Sequence, residues 1–284
     1  MGLFFSSDRF TRPGPGVRPD APRKKGVARL AEIMGRDMWN FFRAGFLAFL
    51  GCLPFIIGMF FAVETHALLF MLLAGIIGGL IAGPELSAMA DTVLRSLRDE
   101  PGYWWETYRR VWKRNARESL VPGMLTGLVL SMQIFTLFHM SVISAGIVTW
   151  VLLILSFVVT LGLESYIWPQ IALLDLPLYG ILKNSLLLFL GYLPRSLGAI
   201  AIKAVYWGAI LLFFPLTTII LPFTNFWLPM LPALLCVYQP LNKCFTIEST
   251  INKMREDELN AALAKDNEPL PEDPVSYTHL TLPT

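Results

Sequence analysis

The chain has 284 residues, of which 55% are hydrophobic and only 15% are charged, and its mean hydropathy is +0.56. Charged residues make up about a quarter of an ordinary soluble domain, so this composition excludes a soluble globular protein and indicates one whose solvent is lipid. The formal net charge of +2 conceals an asymmetry, because nine of the 23 Lys and Arg residues fall within the first 43 positions.

Residues 1–40 are predicted to form a basic cytoplasmic arm followed by a surface helix. Four prolines between Pro13 and Pro22 exclude a regular helix in the arm. From Val27 to Asn40, apolar residues recur at helical spacing with charged residues between them. That pattern predicts a one-sided helix that lies along the membrane surface and leads into the first span.

Six apolar stretches follow in three pairs, which predicts an all-α polytopic membrane protein with about six transmembrane helices in three hairpins and cytoplasmic interfacial helices. The connections within pairs are poor in Lys and Arg, whereas basic residues collect between pairs, so both termini are expected in the cytoplasm. The predicted spans are residues 41–63, 67–83, 120–138, 143–168, 196–221 and 226–238, with a cytoplasmic linker at 84–119, an interfacial or re-entrant helix at 178–193 and a cytoplasmic tail at 241–274.

The linker between the second and third spans contains an aromatic stripe. Trp104, Tyr108 and Trp112 repeat every four residues, while Arg109 and Lys113 fall on another side of the same predicted helix. An aromatic face beside a cationic face is typical of a helix at the level of the lipid headgroups. Two interpretations stay open: an interfacial anchor, or a docking surface for a cytoplasmic protein or a phosphorylated ligand.

A glycine stripe occupies the second span. Gly75, Gly79 and Gly83 recur at intervals of four and therefore share one helix face. Small residues let membrane helices approach closely, so the stripe predicts helix packing, with the lining of a substrate path as the alternative.

Three charged residues lie at or near membrane depth and are candidate functional residues. Lys203 interrupts the fifth apolar stretch, and Glu164 and Glu85 are its candidate partners near the ends of their spans. Charges at this depth are costly and often mark a functional path. The alternatives are a lysine that extends its side chain to the interface and carboxylates that remain in contact with water at the boundary.

Catalytic motifs are absent from the sequence. It has no glycine-rich phosphate loop, no His-Glu-x-x-His, no nucleophile elbow and no pair of CxxC elements. The last ten residues, 275–284, match the translation of a transposase sequencing adapter and are interpreted as an artefact, which removes His279 from consideration. His66 and His139 alone leave histidine chemistry little room. We therefore expect no catalytic, cofactor-binding or metal-binding residues and no enzyme.

Short motifs spread over most of the chain carry a family resemblance. They are the stretches from Asp8 to Val17 and Ala21 to Gly26, the pairs Gly83-Pro84 and Ala88-Met89, the region from Trp105 through Trp112-Lys113-Arg114-Asn115 to Leu120, and more loosely Tyr166 to Ala172 and Leu182 to Ser185. Taken together they resemble the YesL-like family of bacterial integral membrane proteins, a domain of unknown function.

The resemblance implies a bacterial plasma-membrane protein, and it suggests a role in sugar uptake because members are often encoded beside carbohydrate-uptake genes. The expected function is that of a non-enzymatic accessory component of a carbohydrate transporter, with its permease or ATPase as the partner. A transporter in its own right is the alternative, and a membrane-embedded enzyme ranks third. The chain is expected to contact the lipid bilayer and no nucleic acid.

Overall fold

The computed structural model describes residues 23–24, 26–100, 102–140, 142 and 146–266, and these form helices joined by short turns and loops, without any strand. Six helical segments in this part of the chain are long and apolar enough to cross a membrane. The protein is therefore an all-α polytopic membrane protein, and the prediction of fold class is confirmed.

The helices are numbered here in chain order. They are α1 (Gly26–Thr65), α2 (Leu68–Arg98), α3 (Trp104–Phe138), α4 (Ile147–Leu173), α5 (Leu178–Gly191), α6 (Leu193–Leu212), the single turn α7 (Leu221–Thr224), α8 (Trp227–Phe245) and α9 (Ile247–Asp266).

The first three helices alternate in direction because short turns connect them. His66 and Asp99 reverse the chain with left-handed backbone conformations, at φ values of 54° and 60°. Aspartate and histidine adopt this conformation more readily than most residues. The end of the bundle with Arg29, Arg36 and Asp99 is called the basic end, and the opposite end, with His66 and His139, is called the histidine end.

The closest helix contact joins α2 to α3 through glycines on both sides. A Cβ atom on Gly79 would overlap the carbonyl group of Gly123, and one on Gly123 would overlap the backbone at Gly79 and Gly83. Gly75 meets Gly127 in the same way. The structure thus places the predicted glycine stripe at a helix contact, where the missing side chains let the two backbones touch.

A π-helical segment, Ala74–Gly78, lies within α2 and faces α1 as well as α3. Gly78 packs directly on the backbone of Phe55, and Ala74 packs on Gly58 of α1. Widened turns of this kind change which side chains a helix presents along its length. Here α2 is in close contact with both α1 and α3, so it is the central helix of these three.

Prolines do not end the helices where the sequence predicted helix ends. α2 continues past Pro84 to Arg98, and α4 continues past Pro169 to Leu173. A proline removes one backbone hydrogen bond, and packing against neighbouring helices compensates for this loss in membrane proteins. The segment 84–119 therefore consists of the ends of α2 and α3 with a short turn between them, rather than a separate linker.

The predicted surface helix is not separate from the first span either. Residues 26–65 form one helix of 40 residues, which is about 60 Å long and twice the thickness of a bilayer core. The predicted surface helix is therefore continuous with the predicted first span. The polar side of its first turns pairs instead with the end of α2, through Arg29 and Arg36.

The second half of the bundle has shorter helices. α5 has 14 residues, about 21 Å, so it is too short to cross a bilayer, and Ser185 in α5 hydrogen-bonds Gln170 in α4 at 2.8 Å. α6 ends at Leu212, well before the predicted boundary at 221. Pro215 and Pro222 lie in the connection that follows, where they cannot donate backbone hydrogen bonds.

The chain from Pro240 onward forms a second compact unit, which the structure describes as far as Asp266. The Asn242 side chain accepts a hydrogen bond from the backbone N–H of Glu248 at 2.9 Å. This contact satisfies one of the N–H groups at the start of α9, which have no partner within the helix. The sequence predicted a cytoplasmic tail here, and its residues after 266, with the interpreted artefact, lie outside the described residues.

The glycine contact predicts a measurable cost for an added methyl group. Gly79→Ala should lower the free energy of unfolding by about 1–3 kcal/mol, because the new Cβ atom has no space beside Gly123. Gly35→Ala in α1 is the matched control, since nothing lies within 4 Å of that position. Thermal unfolding in detergent would compare the two, and an equal effect of both substitutions would contradict the close contact.

Candidate functional site

The aromatic stripe of α3 is turned onto α2, where it holds a carboxylate. Tyr108 and Trp112 donate hydrogen bonds to the two oxygens of Glu85, with a distance of 2.9 Å for the Trp112 indole. The Glu85 side chain also lies against Gly51 of α1. These three residues, Glu85, Tyr108 and Trp112, are called the Glu85 clamp. Tyr108 is only 4% exposed, so it faces the protein interior and not the lipid headgroups.

Trp104, the first residue of the stripe, connects α3 to α1. Its ring contacts the Tyr108 ring, with centroids 5.3 Å apart, and the Arg43 guanidinium lies over it at 5.7 Å. Arg43 also lies over Trp39 at 5.2 Å. A guanidinium placed between two indole faces is an attractive arrangement, so Arg43 links the two helices at this level.

An ion-pair cluster closes the basic end. Asp99, at the turn after α2, accepts hydrogen bonds from Arg29 at 2.6 Å and from Arg36. The same two guanidiniums donate to the backbone carbonyls of Leu97 and Ser96, at 3.1 and 2.8 Å. They therefore satisfy carbonyls at the C-terminus of α2 and oppose the negative end of its dipole. Asp99, Arg29 and Arg36 are called the Asp99 cluster.

The cluster changes the titration of its carboxylate. Partial burial opposes ionisation of Asp99, but hydrogen bonds from Arg36 and Arg29 outweigh it and hold the pKa of Asp99 below its usual value. The Asp99 carboxylate thus remains charged beside the guanidiniums of Arg29 and Arg36. Asp99 was not among the predicted site residues, although the acidic pair Asp99-Glu100 between two basic helical segments is a visible signal in the sequence.

A polar cavity of about 280 Å³ lies between the Asp99 cluster and the aromatic stripe. Acidic and basic groups share its wall with aromatic rings, so it has no single charge preference. The lining includes Arg36, Arg95, Asp99, Glu100, Trp104 and Tyr108.

The two cationic residues predicted beside the aromatic stripe face outward. Arg109 and Lys113 are exposed, one helical turn apart, while Tyr108 beside them is buried. The structure therefore separates the two halves of the predicted site. The aromatic half stabilises the contact between α2 and α3, and the cationic half is left on the surface.

Lys203 and Glu164 come together in the second half of the bundle. Lys203 is 8% exposed, and its Nζ donates to the backbone carbonyl of Leu161 in α4 at 3.4 Å. It also interacts electrostatically with Glu164, one turn along the same helix. Lys203 is thus held inside the bundle instead of extending its amine to the interface.

Cys52, which is buried in α1, is the residue that relates Glu85 to Glu164. It lies within electrostatic range of both Glu85 and Glu164. The structure therefore relates Lys203 to Glu164 directly, and relates Glu85 to Glu164 only through their shared neighbour Cys52. Gln133 of α3 adds a neutral polar contact by donating to Ser156 and, at 2.8 Å, to Thr160.

A histidine pair at the opposite end was also missed. His66 Nδ1 lies 2.6 Å from His139 Nε2. A signal for this contact was present, because two predicted outer turns carry one histidine each and hairpin topology brings such turns to the same end. No group of three or more His, Cys, Asp or Glu residues in the described part of the chain is placed to hold a metal ion.

Comparison with protein-family models, with curated proteins and with solved structures found no match for this chain. The fold and the site define a polytopic helical membrane protein with a charged cluster at one end and buried charges in its core.

The Asp99 cluster predicts a specific pH dependence of stability. Because the folded pKa of Asp99 is depressed, its carboxylate stabilises the fold above the unfolded value of 3.8, and this contribution is lost as the pH falls through the folded pKa. Asp99→Asn should therefore be less stable than wild type near neutral pH and should lose less stability on acidification. Thermal unfolding from about pH 6 to about pH 3 measures both.

Glu106→Gln is the control for this experiment, because the Glu106–Arg110 ion pair is exposed and should contribute little. Parallel pH profiles for wild type and Asp99→Asn would contradict the role of the cluster.

Proposed function

We propose that this protein is a non-enzymatic accessory component of a carbohydrate-uptake system in a bacterial plasma membrane. The carbohydrate assignment rests on the resemblance to the YesL-like family described above. The orientation rests on the positive-inside rule, by which the basic end and both termini face the cytoplasm. The partner is the permease or the ATPase of the transporter.

The observation that supports a docking role is the exposed pair Arg109 and Lys113 on a rigid helix. The Glu85 clamp attaches this part of α3 to α2, and Arg43 of α1 lies over the Trp104 ring of α3, so the two cations sit on a fixed surface. A partner that binds a preformed surface loses less conformational entropy than one that must order a loop. An acidic patch on the partner's cytoplasmic side is the complementary surface.

Charge reversal tests this surface directly. Arg109→Glu with Lys113→Glu should reduce the amount of permease or ATPase that co-purifies in mild detergent by about fivefold or more, and most strongly at low salt. The matched control is Arg110→Glu, on a neighbouring face of the same helix, where the native arginine pairs with Glu106. Mass spectrometry of the purified complex gives the ratios.

Recovery of the wild-type protein without any transporter subunit would contradict the accessory role. Equal recovery of the partner by the double variant and by wild type would contradict this docking surface.

A transporter in its own right is the second candidate function, and the buried charges favour it. Lys203 is buried and interacts with the partly buried Glu164, and an ionised group at such a depth is costly unless it serves a path or a partner. Glu85 is partly buried and lies against Gly51 of α1, within electrostatic range of Cys52. A substrate or proton that crosses the bundle would meet these three side chains.

Uptake by reconstituted vesicles tests this candidate. Lys203→Met should reduce the initial uptake rate by about tenfold or more if the charge lies on the path. Gln133→Leu is the control, because the Gln133 amide joins α3 to α4 in the described contacts. Absence of uptake by the wild-type protein for every sugar tested would exclude a role as an independent sugar transporter.

A further inference from the structure

The two histidines at the histidine end meet in an unusual geometry. His66 Nδ1 and His139 Nε2 are 2.6 Å apart, the ring centroids are 4.9 Å apart, and the ring planes make an angle of 82°. That centroid separation is close to the largest that such a nitrogen contact allows. The rings therefore point at each other nitrogen to nitrogen, along one line.

The surrounding hydrogen bonds determine which nitrogen carries a proton in the neutral pair. His139 Nδ1 lies 2.7 Å from the carbonyl oxygen of Phe135, so Nδ1–H donates and Nε2 keeps a lone pair. His66 Nδ1–H then donates to that lone pair. The remaining lone pair, on His66 Nε2, belongs to a residue exposed to solvent.

The contact can accommodate one added proton but not two. A first proton can bind His66 Nε2 and leave the hydrogen bond between the rings intact. A second would have to bind His139 Nε2, which is the acceptor, so two N–H groups and two positive charges would face each other. The doubly protonated pair must separate.

The same geometry favours a proton over a metal ion as the bridging group. Zinc binds imidazole nitrogen at about 2.0–2.1 Å, so an ion on the line between the two nitrogens would require them about 4 Å apart. They are 2.6 Å apart, which suits a hydrogen bond.

The pair connects the turn between α1 and α2 to the end of α3. His66 forms the turn between α1 and α2, and His139 ends α3. A cavity of about 320 Å³ lies beside them, lined by His66, Leu68, Phe135, His139 and Val142. Below it is an apolar cluster of Met59, Ala62, Met71 and Ala74, against which Phe135 packs. Separation of the rings would release the turn and open this apolar interior.

We propose that His66 and His139 form a proton-operated clasp between the α1–α2 turn and the end of α3. The clasp is closed when the pair carries at most one added proton and opens when both imidazoles are protonated. Histidine is the side chain whose charge ordinarily changes between about pH 5 and 8, so acidification on this side of the membrane is the signal. The sensing site lies opposite the basic end and is independent of the proposed docking surface.

One other charged residue lies in the segments that meet here. Glu64 of α1 is exposed and two positions before His66, whereas residues 67–83 of α2 and 131–140 of α3 contain no Asp, Glu, Lys or Arg. Glu64 therefore has to be tested as an alternative sensor.

Hydrogen–deuterium exchange of the full chain in lipid nanodiscs tests the clasp. We expect exchange in residues 60–73 and 132–140 to rise about threefold or more between about pH 7.5 and about pH 4.5, with labelling times scaled for intrinsic exchange. Peptides from α4 should not change, and they report that the fold is intact.

Three variants distinguish the clasp from a general effect of acid. His66→Ala removes the donor, so exchange in both segments should be high at both pH values. His66→Gln supplies an amide N–H to neutral His139 and, after rotation of the amide, a carbonyl oxygen to protonated His139, so exchange should stay low at both. Glu64→Gln should retain the wild-type response.

Several outcomes would overturn the proposal. They are an acid response that is absent in wild type, unchanged in His66→Ala or lost in Glu64→Gln. Protection of the wild-type segments by Zn²⁺ at about pH 7.5, absent in His66→Ala, would show a metal site in place of a proton clasp.

Discussion

The direct backbone contact between α2 and α3 sets the register of the first half of the bundle. Gly79 and Gly83 lie against Gly123 with no side chain between them, so the two helices cannot slide without creating overlap or a gap. Toward the basic end from this contact, the side chains of Tyr108 and Trp112 reach Glu85 across the same pair of helices. The polar contacts at the basic end therefore depend on the glycine contact between α2 and α3, where the backbones touch because no side chains separate them.

The two ends of the bundle are held by different chemistry. At the basic end, permanently charged guanidiniums bind Asp99 and the last carbonyls of α2, an arrangement that is stable over the physiological pH range. At the histidine end, the corresponding contact is a hydrogen bond between the imidazole rings of His66 and His139. The contacts at the basic end therefore stay the same over this pH range, whereas the proposed clasp at the histidine end responds to pH.

Two polar side chains inside the bundle meet partners on a neighbouring helix. Lys203 reaches a backbone carbonyl of α4 and the field of Glu164, and Gln133 bonds two hydroxyl groups of α4. An unpaired polar group in lipid costs several kcal/mol, which is why these residues hold specific helix pairs together. Glu164 and Lys203 differ from the other polar residues inside the bundle, because apolar or neutral side chains would be enough to pack α4 on α6.

Composition and hydropathy pattern were sufficient to predict an all-α membrane protein, since lipid allows only helices with satisfied backbones and the apolar stretches have the matching length. The glycine spacing likewise predicted a packing face, because residues four apart share one side of a helix. Helix ends at Pro84 and Pro169 were wrongly expected, since the tolerance of a proline depends on neighbouring helices that a local pattern does not contain. Only tertiary structure brought together Asp99 with Arg29, Lys203 with Glu164 and His66 with His139, because these pairs depend on helix register and rotation across long stretches of chain.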